Sequence, residues 1–353
     1  MFKRNIIEKL NKLYNESPSI DISSKDKFVI FSDTHLGNGS YQDDFKQNSE
    51  LFLTILKEYY LPKGYTLILN GDIEELYKFN FNQIYNYWGN VYEVFEEFRN
   101  QKRLMKIFGN HDFILSHNRT KNHKFDLYES VNLKYHNHDL FIYHGHQTSG
   151  FLEDYNRFSC WVVRYVANPF GYKNKTFHYD DKSKFKNETY AYNFSSQNKL
   201  ISLMGHTHRP LFESYSKFDS LKFEIESFLN DLNKKNGINR KYILNTVKKL
   251  KLELDNLDAK KYTSESKSTI YNDNLLVPCL FNSGSVIGKR GATGLEIKNG
   301  KISLIYWFDS KRSNRYLNYD GIKSKQLNES DYYKAIIKKD SLENIFLRIN
   351  LLA

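Results

Sequence analysis

Five short apolar runs in the chain each end abruptly in residues that can bind metal or move protons. "FVIF" leads into "SDTHLG", "TLIL" into "NGDIEE", "LMKIF" into "GNHD", "LFIY" into "HGHQ" and "LISLM" into "GHTH". Aspartate, asparagine and histidine offer oxygen and nitrogen donors for a divalent cation, and histidine can also give or take a proton near neutral pH. One such motif is weak evidence, because an Asp or Asn beside Gly ordinarily serves a turn. "HNH" at His136 and His138 shows how cheap the spacing is: these two precede a strand and are expected to be solvated loop histidines. Five motifs on the same ends of consecutive runs carry far more weight than any one of them.

The elements that must position these residues follow from the apolar pattern. Residues 28–31, 66–69, 104–108, 140–143, 200–204 and 279–281 are short, rich in β-formers and bounded by turn residues, as strands buried on both faces are. Between the first two runs, Phe52, Ile55 and Leu56 recur at helical spacing before Pro62 and Gly64 close the segment. Strand, helix, strand in alternation predicts a layered α/β domain, in which ligands gather where strands finish. Near the end, "LEIKNGKISLIYW" predicts a β-hairpin turning at Asn299 and Gly300.

Composition bounds the answer. A chain of 353 residues, 40% hydrophobic, can bury a full core. No run of about 18 apolar residues predicts a transmembrane span, and the opening "MFKRNIIEKLNKLYNES" mixes charge with apolar residues at helical spacing, unlike a signal peptide. A cytoplasmic location is expected. Cys160 and Cys279 stand in no metal or redox spacing and are expected to be buried thiols. The net charge of +11 suits an anionic partner such as a nucleotide, a nucleic acid or an acidic surface, although no block of consecutive basic residues marks a dedicated face.

The ordered set D-x-H, G-D, G-N-H-D, H-G-H and G-H-x-H over residues 28–208 resembles the calcineurin-like metallophosphoesterase family, and the likeness is expected to continue into "FNSGSV" and the final hairpin. The resemblance implies a four-layer α/β/β/α sandwich and two divalent ions. One ion would be held by Asp33, His35, Asp72 and His208, the other by the shared Asp72 with Asn110, His144 and His206. His146 and Asp112 would stand behind these ligands. Mixed nitrogen and oxygen donors without thiolate suit Mn, Fe or Zn. Such a pair, about 3.5–4 Å apart, supplies a bridging hydroxide nucleophile and compensates charge on the phosphoryl oxygens. His111 would protonate the leaving group, oriented by Glu75.

Departures bear on substrate. Ser/Thr protein phosphatases of the superfamily carry Arg directly after the acidic residue, where this chain has Leu76. The G-D-x-x-E pattern is similar to bacterial UDP-2,3-diacylglucosamine diphosphatases, although those commonly have Arg in place of His111. The predicted organisation is a core over 1–211 with a cap-like insertion at 150–193, a helical hairpin insertion within 212–272, and the rest of the core over 273–353. In the first insertion, which begins as an amphipathic helix and turns aromatic, basic and irregular, Arg157 and Arg164 could reach a substrate phosphate. In the second, Leu221, Ile225, Phe228, Leu229 and Leu232 form one stripe, and Ile243, Val247, Leu250, Leu254 and Leu257 another. The expected function is hydrolysis of a phosphate mono- or diester of a small, soluble, nucleotide-like anion. A nuclease and a lipid-nucleotide diphosphatase are the enzymatic alternatives, and a non-catalytic binding scaffold is the rival of another class. Every ligand position is filled, which speaks against the scaffold. Oligomeric state is not legible in the chain.

Overall fold

The computed structural model describes residues 2–117, 124–149, 181–214, 238–259, 277–314 and 324–353, with single positions 221, 225, 228, 229, 316, 317 and 322. In chain order these form α1 (Phe2–Glu16), β1 (Ser19–Ile22), β2 (Lys27–Phe31), α2 (Ser49–Ile55), β3 (Thr66–Asn70), α3 (Phe81–Tyr87), α4 (Gly89–Asn100), β4 (Leu104–Ile107) and α5 (Ile114–His117). There follow β5 (Leu127–Tyr128), β6 (Ser130–Tyr135), β7 (His138–Tyr143), α6 (Asp181–Asn198), β8 (Ile201–Met204) and α7 (Ile238–Ala259). The chain closes with β9 (Leu280–Asn282), β10 (Ala292–Lys298), β11 (Lys301–Asp309), β12 (Ser324–Gln326), β13 (Tyr332–Ser341) and α8 (Leu342–Leu352).

Two sheets result, an eight-stranded one ordered β12-β13-β11-β10-β2-β3-β4-β5 and a five-stranded one ordered β1-β6-β7-β8-β9. Strand alternation decides what lies on each face. Phe28, Ile30, Ile68 and Ile107 of the larger sheet meet Val131, Leu133, Leu140, Ile142, Ile201 and Leu203 of the smaller in the central core. Val29, Phe31, Leu67 and Leu69 turn outward and are covered by the apolar faces of α2, α3 and α4. On the far side, Phe141, Tyr143, Leu200 and Met204 pack under Ile6 and Leu10 of α1 and Tyr190, Ala191 and Phe194 of α6. Helices, sheet, sheet and helices make the α/β/β/α sandwich that the family resemblance implies.

The hairpin turns where expected, with Lys298 opposite Lys301 and both Asn299 and Gly300 at positive φ, the signature of a type I′ turn. Among the described residues, no helix is long and apolar enough to cross a membrane. Residues 150–180, including Cys160, Arg157 and Arg164, lie outside the described residues, as does most of 215–237. The tail of the stretch expected to be irregular is instead the first part of α6, a core helix. Its buried face carries polar Asn187, Glu188 and Ser195 beside the aromatics, which hides it from an apolar periodicity. In α7 the anticipated stripe is the sheltered side: Ile243 and Leu250 are buried, whereas Leu244 and Leu252 are exposed. His138 also departs from expectation. It begins β7 and stacks on Phe346 of α8, ring centroids 4.3 Å apart and 9° from coplanar.

Candidate metal centre

The motif residues converge at the ends of β2, β3, β4, β7 and β8. Beyond the paired strands β2 and β3 the backbones keep bonding: Asp33 N–H donates to Gly71 O (3.0 Å), His35 N–H to Asp72 O (3.0 Å) and Leu36 N–H to Ile73 O (2.8 Å). This fixes Asp33, His35 and Asp72 in register. Asp33, His35, Asp72, His206 and His208 all have positive φ, between 46° and 65°. L-residues there cost on the order of 1 kcal/mol each, and such strain clusters where side-chain direction matters more than local comfort. Gly109 is required by close approach, because a Cβ there would collide with Asp72 and the His144 ring.

Two groups of donors result, each with its atoms within 4.8 Å of one another: Asp33, His35 and His208, and Asp72, His144 and His206. His208 Nε2 is 3.0 Å from Asp33 Oδ1 and 3.2 Å from His35 Nε2. Asp72 Oδ2 lies 3.1 Å from His144 Nε2 and 4.0 Å from His35 Nε2, so one carboxylate reaches both groups. The surroundings choose the tautomers: His144 Nδ1–H donates to Asn70 O (2.8 Å) and His35 Nδ1–H to Glu75 Oε2 (3.1 Å), which leaves each Nε2 as a donor atom for an ion. Asp33 Oδ1, Asn110 Oδ1 and His144 Nε2 are buried without a hydrogen-bond partner. Buried polar atoms are nearly always satisfied; here Asn110 Oδ1 has no partner, while Asp33 Oδ1 and His144 Nε2 are crowded by His208 and Asp72 without a well-formed hydrogen bond, an arrangement that fits a divalent cation.

A third group is His35, Glu75 and His111. Glu75 is buried between the two rings, its Oε1 accepting from His111 Nδ1 at 2.8 Å. His111 Nε2 is 4.0 Å from Asp72 Oδ2, and its backbone N–H donates to Asp72 Oδ1 at 2.8 Å. Asp112 ties the loops together, its oxygens accepting from Gly109 N–H (2.5 Å) and Ile73 N–H (2.7 Å). His146 belongs to none of the three groups; its ring lies 5.6 Å from that of His144 and its Nδ1 is buried without a partner.

Residues 27–223 match the family model described as the calcineurin-like phosphoesterase superfamily domain. The chain belongs to this superfamily. A comparison with curated proteins finds no match. Among solved structures, the chain is similar to a conserved predicted phosphoesterase from Streptococcus pneumoniae (12% identity, 80% of this chain and 89% of that one, TM-score 0.30). It is also similar to Vps29 from Entamoeba histolytica (11%, 80% and 92%, 0.31) and to a cold-active protein-tyrosine phosphatase from a psychrophilic Shewanella (13%, 80% and 78%, 0.34).

Electrostatically, the candidate centre is a stack of buried carboxylates held down by histidines. Burial alone would raise Asp72, but His144, His111 and His35 bring it well below its ordinary value. Glu75 behaves likewise through His111 and His35, and Asp33 is lowered by His208 and His144 against the same burial. In return His111, despite burial, is pushed up to about 9 by Glu75 and Asp72. His144 rises to about 10 against its own burial, chiefly through Asp72. Burial and the neighbouring His144 drive His206 down to about 3. Asp112 is raised to about 7 by burial, then by Glu74 and Asp72.

Several residues here were not singled out from the sequence. Lys106, buried in β4, pairs with Glu74 at 2.5 Å, and Tyr92 donates to the same oxygen at 2.9 Å. Its signal was the lone lysine inside "LMKIF". Leu76, the residue directly after Glu75, is buried in the outer core.

Proposed function

We propose that the protein is a dinuclear, metal-dependent phosphoesterase that cleaves a phosphate mono- or diester of a soluble, nucleotide-like anion. Asp33, His35, Asp72 and His208 would hold one ion, and Asp72, Asn110, His144 and His206 the other, with Mn, Fe or Zn suited to these donors. The observation that carries the reading is Asp72 Oδ2, within 3.1 Å of His144 Nε2 and 4.0 Å of His35 Nε2, beside the buried Asn110 Oδ1, which has no hydrogen-bond partner. When bound, such ions supply a nucleophile at neutral pH and neutralise charge on the phosphoryl oxygens.

The chain's own residues do the rest. Glu75 holds the His111 ring by Nδ1 at 2.8 Å, which keeps the imidazole protonated and aims its Nε2 to deliver a proton to the departing oxygen. His35 is fixed by the other oxygen of the same carboxylate, so ion binding and proton delivery share one anchor. Asp112 holds the two loops that carry Asp72 and Asn110. Arg157 and Arg164 are proposed to contact the substrate phosphate. A cytoplasmic setting is proposed with it. The test is a screen of Mn²⁺-loaded protein, with a chelated control, against mononucleotides, cyclic nucleotides, dinucleotides, single-stranded DNA and nitrophenyl phosphates. Hydrolysis abolished by chelation and restored by Mn²⁺ is expected; activity indifferent to chelation would remove the metal reading.

A further inference from the structure

We propose that α6 is a positioning element for the centre, fixing His206 and His208 through two consecutive side chains, Asn187 and Glu188. The inference rests on reading these two histidines as ligands.

The histidines sit just past β8 in a loop that needs outside support. Both have positive φ, 65° and 56°, and Thr207 between them is held in a tight turn by its N–H to Gly205 O at 2.7 Å. From the sheet side, Asn282 Nδ2 donates to Gly205 O (2.8 Å) and to Thr207 Oγ1 (2.9 Å). From the helix side comes Glu188, whose side chain is wholly buried. Its Oε1 accepts from the Thr207 hydroxyl at 2.8 Å and from Arg209 Nε at 3.2 Å, and its Oε2 accepts from Arg209 Nη2. One carboxylate therefore grips the residues on both sides of His208. One position earlier, buried Asn187 donates to Ser149 Oγ at 2.9 Å, and that hydroxyl lies 3.3 Å from His206 Nε2. Asn187 thus fixes, through the Ser149 hydroxyl, the Nε2 edge of the His206 ring.

The two histidines belong to different donor groups. A single turn of α6 thus controls one donor of each. A buried ion pair adds little stability over an apolar packing of the same shape, because desolvation offsets its attraction, and its best-attested use is to fix geometry. Arg209 is drawn into the same clamp by two nitrogens, a planar fork that a lysine could not reproduce. A partner that orients a metal ligand typically matters ten- to a hundredfold in metal affinity or activity, on the order of the effect expected here.

The experiment uses the full chain stripped of metal, titrated calorimetrically with Mn²⁺ and, separately, loaded with Co²⁺ for its visible spectrum. Thr207→Val keeps the shape and removes only the hydroxyl; Glu188→Ala removes the whole clamp; Thr207→Ser restores a donor. Glu188→Ala and Thr207→Val should each weaken one of two Mn²⁺ sites by roughly ten- to a hundredfold, shift the Co²⁺ bands and lower kcat on a nitrophenyl ester more than they raise KM, whereas Thr207→Ser should recover most of the lost affinity. A purely structural clamp would lower the melting temperature of the metal-free protein and leave the affinities and bands alone. Wild type binding two ions, with Thr207→Val matching it in affinity and spectrum, overturns the positioning role alone. Wild type binding no ion overturns the metal reading and this inference together.

Discussion

Replacing Glu75 by Gln tests whether one carboxylate serves both ion binding and proton transfer. In the structure Oε1 takes His111 Nδ1 at 2.8 Å and Oε2 takes His35 Nδ1 at 3.1 Å, both inside the protein. Glutamine is nearly the same size but has a single acceptor. Its oxygen should stay with the shorter contact to His111, which turns the amide NH₂ towards His35. A donor facing Nδ1 forces the other tautomer on His35, with its proton on Nε2, the nitrogen 3.2 Å from His208 Nε2 and 4.0 Å from Asp72 Oδ2. A protonated Nε2 cannot ligate. Losing a charge-assisted hydrogen bond costs about 2 kcal/mol, roughly thirtyfold in Mn²⁺ affinity at one site. At His111 the bond survives without the charge and is weakened by about 1 kcal/mol, roughly fivefold in the protonation step.

Glu75→Gln should therefore lose one Mn²⁺ by calorimetry at concentrations that saturate wild type. With excess Mn²⁺ it should show about a fivefold deficit on an ester with a poor leaving group and almost none on a nitrophenyl ester. Undiminished Mn²⁺ affinity, with the loss confined to kcat, would refute the shared anchor and leave Glu75 serving His111 alone.

Asp72→Asn removes the carboxylate common to both groups and should abolish turnover while lowering bound Mn²⁺, measured by elemental analysis, to one equivalent or less; wild-type turnover would remove the two-ion arrangement. Lys106→Met should destabilise the fold by about 3–5 kcal/mol in urea unfolding, because it strands buried Glu74, and adding Glu74→Gln should recover part of the loss. The Cys279 thiol, buried and pushed far up by that burial, should resist iodoacetamide in the native protein and react only on denaturation, as read by mass spectrometry of its peptide.

The sequence was legible where chemistry and local pattern coincide. The apolar runs, each followed at once by a motif of Asp, Asn or His, announce the strands and their motif-bearing ends together, and the Asn299-Gly300 turn needs no tertiary help. Legibility failed where a residue's environment is supplied from far along the chain. His138 looks like any loop histidine until Phe346, over two hundred residues away, offers a ring to stack on. Strand β13, "YYKAIIKKDS", carries Lys334, Lys338 and Lys339 and lacks a clean alternation, so its pairing with β11 and β12 identifies it.

α6 is the most instructive case. A helix is recognised by an apolar stripe because water is the usual alternative partner for its polar residues. Asn187 and Glu188 escape that logic: Thr207 and Arg209, the partners of Glu188, come from the loop that carries His206 and His208, and Ser149, the partner of Asn187, comes from the segment after β7 that carries His144. The same long-range hydrogen bonds explain how those histidines persist at positive φ. Backbone strain of this kind survives only where surrounding contacts over-determine the conformation. The residues that hide the helix from sequence pattern are therefore among those that fix the loop carrying His206 and His208. A polar helix face next to a strained, histidine-bearing loop is what a fold shows when it uses hydrogen bonds to set geometry and leaves stability to the sheets beneath.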